Sequence, residues 1–68
     1  MDSMTKIELL IETIINGNSI KGCETYENML KSITKNDIRS YVEFQYNKTL
    51  FGSKIEMLIQ IADYISKR

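Results

Sequence analysis

Ile7, Leu10, Ile11, Ile14 and Ile15 recur at i, i+3, i+4, i+7 and i+8, which is one face of an α-helix. Thr5 followed three residues later by Glu8 has the capping-box arrangement, in which each side chain takes an orphan backbone N–H of the first turn. Asn16-Gly17-Asn18 supplies the stop, with Gly17 suited to a left-handed cap. The pattern predicts a first helix over residues 5–16 and a glycine-punctuated loop over 17–23. Tyr26, Met29, Leu30 and Ile33 form the next stripe and predict a shorter helix over 24–33. Thr34 and Asp37 repeat the capping pattern and open a third helix over 35–46, with Ile38, Tyr41 and Val42 facing inward. Asn47-Lys48-Thr49 breaks that period, and Leu50-Phe51-Gly52 reads as an apolar loop. Ser53 with Glu56 starts a last helix over 54–66.

That last helix is apolar at Ile55, Met57, Leu58, Ile59, Ile61, Ala62, Tyr64 and Ile65, which is more than one stripe. A helix of this kind is either central to the core or has a second partner. Met57, Ile61 and Tyr64 are accordingly the candidate residues for a protein partner or a homodimer. Strand alternation is not sustained anywhere. The pattern predicts one all-α domain over residues 1–68, a small bundle of three to four helices ending in a helix–extended loop–helix unit.

Composition narrows function more than it names it. Apolar residues make up 43% and charged residues 26% of the 68, as in ordinary globular chains, and eleven isoleucines give ample capacity for burial. No apolar run exceeds three residues, which predicts neither a membrane span nor a signal peptide, and no membrane partner. A chain near this size buries only about 60% of its unfolded surface, so close helix packing or self-association must stabilise it. Histidine, the usual general base and metal ligand near neutral pH, is absent. The lone Cys23 makes neither an internal disulfide nor a thiolate cluster, and the carboxylates are scattered. The expectation is therefore a non-enzymatic protein with no catalytic residues, no metal ligands and no cofactor. An unpaired cysteine fits a reducing compartment and predicts a cytoplasmic location.

Nine Lys and Arg balance nine Asp and Glu, which argues against coating nucleic acid by charge alone. The balance is uneven along the chain. Residues 1–32 carry three cations against five carboxylates, and residues 33–68 carry six against four. Lys35 and Arg39 are four apart and share a helix face.

The basic half contains a recognisable arrangement. After the helix marked by Ile38, Tyr41 and Val42 comes a connection, then Gly52, Lys54, Glu56, Met57, Leu58 and Ile61 in order. Residues 33–61 thus resemble the SAP and HeH helix–extended loop–helix motifs, to which the LEM and Rho N-terminal domains look related. Those families show a Gly-x-Lys-x-Glu-Leu-Ile-like start to the second helix; the basic residue often found near its end is Gln60 here. The resemblance implies a DNA-binding accessory protein that contacts backbone phosphates weakly and salt-sensitively. Carried onto this chain, its candidate residues are Lys35, Arg39, Lys48, Gly52, Ser53 and Lys54. The residues themselves leave two readings open. Lys54 lies beside free N–H groups and the positive end of a helix dipole, where a phosphate can sit, or Gly52–Glu56 is simply a well-formed helix start. Because relatives of the motif also bind proteins, a protein-interaction module or small inhibitor is the alternative.

Overall fold

The computed structural model describes residues 2–67. Four helices make up the chain, α1 (Ser3–Ile15), α2 (Glu24–Ser32), α3 (Lys35–Tyr46) and α4 (Lys54–Ser66), with no strand among the described residues. They pack into an all-α bundle of about 30 × 23 × 21 Å.

Three of the four helix starts have a local side-chain cap. α1 begins two residues before the expected Thr5 start, because the Asp2 carboxylate accepts the Thr5 N–H at 2.8 Å and takes over the capping role. That bond holds the Asp2 carboxyl below the ordinary carboxylate range. α1 stops where Gly17 turns left-handed, at φ 81°. The Gly17 N–H bonds to the Ile14 carbonyl and the Asn18 N–H to the Thr13 carbonyl, each at 3.0 Å, which is a Schellman closure. At α3 the reciprocal box is complete. The Asp37 N–H donates to the Thr34 hydroxyl at 3.1 Å, and the Thr34 N–H to the Asp37 carboxylate at 2.9 Å. Ser53 caps α4 by accepting the Glu56 N–H at 3.3 Å, but here the hydroxyl, at 3.1 Å, is what the Glu56 carboxylate receives.

α2 is the weakly anchored element. Cys23 precedes it without a side-chain cap, and its apolar residues Tyr26, Met29 and Leu30 are only half-buried. Ile33 is fully buried but extended, so it closes α2 rather than continuing its stripe. Two side chains satisfy the carbonyls that the end of α2 leaves open. The Ser32 hydroxyl donates to the Met29 carbonyl at 2.8 Å, and the Lys54 ammonium reaches from α4 to the Leu30 carbonyl at 3.1 Å.

The core gathers Ile7, Leu10 and Ile11 of α1, Ile38 and Val42 of α3, and Met57, Leu58, Ile61 and Ala62 of α4, with Ile20, Ile33 and Leu50 from the connections. α1 packs against each of the other three helices, most extensively against α4. The two helices of the carboxy-terminal unit therefore do not form a self-sufficient pair, since α1 fills much of the space that they enclose. Thr13 is buried yet satisfied, donating its hydroxyl to the Leu9 carbonyl at 2.8 Å. Among the described residues no buried side-chain nitrogen or oxygen lacks a partner.

Candidate functional site

The connection from α3 to α4 turns on two left-handed residues, Asn47 at φ 53° and Gly52 at φ 97°. Gly52 is favoured by its backbone angle, which disfavours a side chain; a Cβ there would also lie 2.7 Å from a Glu56 carboxylate oxygen, the end of an exposed side chain that can give way. Between these turns Leu50 buries itself in the core, while Phe51 stays 71% exposed and its carbonyl accepts the Gln60 side-chain amide at 2.6 Å.

This turn sets Ser53 and Lys54 at the edge of a hollow of about 430 Å³. Its apolar floor is Ile20, Leu30 and Ile55, and Lys21, Lys31, Lys35 and Lys54 stand around it with Glu27 as the lone carboxylate of the lining. Each lysine comes from a different segment: the α1–α2 loop, the end of α2, the start of α3 and the start of α4. Lys21, Lys31 and Lys35 are exposed and Lys54 is half-buried. Among the described residues none of the four forms an ion pair; the pair found is Lys67–Asp63 at 3.1 Å. Lys54 spends one N–H on the Leu30 carbonyl and has two donors left for a ligand.

The residues expected from sequence divide. Lys35, Ser53 and Lys54 meet at this hollow, with Gly52 positioning the last two. Arg39 is exposed on α3 outside the lining. Lys48 lies elsewhere, its ammonium 4.1 Å from the centroid of the Tyr64 ring in a cation–π contact. Lys21 and Lys31 belong to the site although both sit in the acidic half of the sequence, where charge summed by halves conceals them. Lys31 and Lys35 were the available signal, two cations four residues apart across the α2–α3 junction.

The apolar candidates need correction. Met57 and Ile61 have 0% exposure and are core, because the stripe that carries them faces α1 and α3. Tyr64 is half-buried in a tyrosine cluster, edge-on to Tyr46 at 6.0 Å, and Tyr46 in turn is edge-on to Tyr41 at 6.3 Å. The exposed apolar side chains are different ones: Met4, Ile15, Phe44, Phe51 and Ile59. Phe44 is 81% exposed and borders a second hollow of about 360 Å³ between α1 and α3, shared with Ser3, Met4, Ile7, Asp37, Ser40 and Tyr41.

Among the described residues no cluster of His, Cys, Asp and Glu is placed to hold a metal ion, and no helix is long and apolar enough to cross a membrane. In comparisons with known proteins, no family model, no curated protein and no solved structure matches this chain.

Proposed function

We propose that this chain is a small non-enzymatic binding protein, and that the lysine-rimmed hollow holds backbone phosphates of a nucleic acid. The observation that carries the reading is the convergence of Lys21, Lys31, Lys35 and Lys54, without ion pairing, on one hollow beside the start of α4. The resemblance of residues 33–61 to SAP- and HeH-like units supports it from another side. Four cations on a chain of zero net charge make the binding weak and salt-sensitive, since each neutralised phosphate adds to the salt slope. The test is an NMR amide-shift titration with short DNA at low and moderate salt. Shifts clustered at Lys21, Lys31, Lys35 and Ser53–Lys54 that vanish with salt are expected. The double variant Lys31→Glu/Lys35→Glu should abolish them. Absence of shifts at low salt would retire the reading.

A second reading is favoured by one observation, the exposure of Phe44 beside Met4 on the α1–α3 face. A protein partner or a second copy would use that face rather than Met57 and Ile61, and its binding would tolerate moderate salt. Sedimentation at two ionic strengths, with the chain alone, tests the homodimer.

A further inference from the structure

We infer that the hollow takes single-stranded rather than duplex nucleic acid, with one unstacked base lying against its apolar floor. The inference rests on the nucleic-acid reading above and narrows it. A binder of duplex phosphates needs only cations on a surface that follows the backbone. Here the cations ring a concavity of about 430 Å³ floored by Ile20, Leu30 and Ile55. That volume falls in the range of small-ligand sites, roughly 300–1,000 Å³. A duplex presents sugar and phosphate to such a floor and gains nothing from its carbon surface. Its bases are paired and stacked, and extruding one costs a few kcal/mol. A single strand has bases free to splay away from the backbone, so one of them can cover the floor while the flanking phosphates reach the lysines.

The charge arrangement fits this occupant. Lys21, Lys31, Lys35 and Lys54 surround the floor from four segments, and Glu27 is the single opposing carboxylate in the lining. A strand crossing the hollow thus passes lysines of four segments, whose flexible side chains can reach the phosphates flanking the seated base. The stems of the exposed Lys21, Lys31 and Lys35 add aliphatic surface to the walls while their heads stay in water, and the Lys54 head is held at the Leu30 carbonyl.

The experiment uses the whole chain at low salt with a labelled oligo-dT strand, a mixed-sequence duplex of the same length, and tripolyphosphate as a phosphate source without a base. Fluorescence anisotropy should show the strand binding about tenfold tighter than the duplex, the ratio given by ~1.4 kcal/mol. Methyl NMR should show upfield ring-current shifts at Ile55 and Leu30 with oligo-dT and none with tripolyphosphate. Ile55→Gln should erase the preference for the strand, bringing the ratio of strand to duplex affinity close to one. If that variant does not fold, the comparison of strand with duplex on the unaltered chain and the methyl shifts decide the matter alone. Duplex binding as tight as strand binding, with both lost in Lys31→Glu/Lys35→Glu, overturns the base-seating inference while the phosphate reading stands. Binding to neither overturns both.

Discussion

Two hollows of similar size, about 360 and 430 Å³, lie on different sides of the bundle and differ in their rims. Between α1 and α3 the floor is Ile7 and Tyr41, and the rim offers Met4, Phe44 and Asp37. The Asp37 carboxylate accepts the Thr34 N–H and keeps its charge, so this rim carries one anion beside its apolar side chains. At the meeting of α2, α3 and α4 the floor is Ile20, Leu30 and Ile55, and the rim is four lysines. Their floors are alike because each is the outer side of the same core. The rims diverge because they are drawn from helix ends and loops, where side-chain identity is not constrained by packing. In this protein the fold sets the floors and leaves the rims to side chains that packing does not fix.

The largest effect expected from this division is at a floor. Ile7 is 1% exposed, and Ile7→Ala should cost about 3 kcal/mol of stability, read by urea denaturation. A loss as small as that of a surface substitution would break the assignment of floor to fold. Next comes Tyr41, whose hydroxyl burial pushes up to about 12, with smaller contributions from Tyr46 and Glu8. The unfolded chain releases this proton near pH 10 while the folded one keeps it. Stability should therefore decline as pH rises from about 10 to about 12, by up to ~2 kcal/mol. Tyr41→Phe should flatten that decline in alkaline melts.

The lysines of the rim are not equal, and this sharpens the comparison. Lys54→Met removes the bond to the Leu30 carbonyl and should cost about 1–2 kcal/mol, with faster hydrogen exchange in the last turn of α2. Lys35→Met should stay within ~0.5 kcal/mol, as surface substitutions do. Equal costs would mean that Lys54 has no capping role. The smallest effect should be that of Phe44→Ser, at 81% exposure: stability within ~0.5 kcal/mol and nucleic-acid affinity unchanged. A drop in nucleic-acid affinity there would show that the two hollows do not act separately.

Much of the helical frame is legible because its signals are local. Thr34 and Asp37 meet across a single turn, and the left-handed Gly17 and Gly52 mark a stop and a start that follow from glycine's freedom alone. The start of α1 is less legible, since Asp2 and Thr5 both lie upstream of a periodic run and the strength of each cap depends on where the chain leaves the helix. Helix α4 shows a deeper ambiguity. Met57, Leu58, Ile59 and Ile61 read alike along the chain, yet three are buried and Ile59 is half-exposed. Periodicity lists the stripes of a helix but does not say which of them its neighbours cover.

From its sequence alone this protein is an all-α chain with helix limits set by Ser, Thr, Asp and Gly, lacking histidine and a second cysteine. Those properties depend on residues within a turn of one another, or on composition, and need no knowledge of packing. The tertiary structure decided that α1 contacts all three other helices, that Met57 and Ile61 are core, and that Lys48 leaves the candidate site for Tyr64. It also decided that Lys21 and Lys31 join Lys35 and Lys54 around one floor. The physical reason is that such convergence is fixed by how α2 and α4 pack on α1. That packing follows from the summed burial of many side chains distant in sequence, which no short window of residues contains.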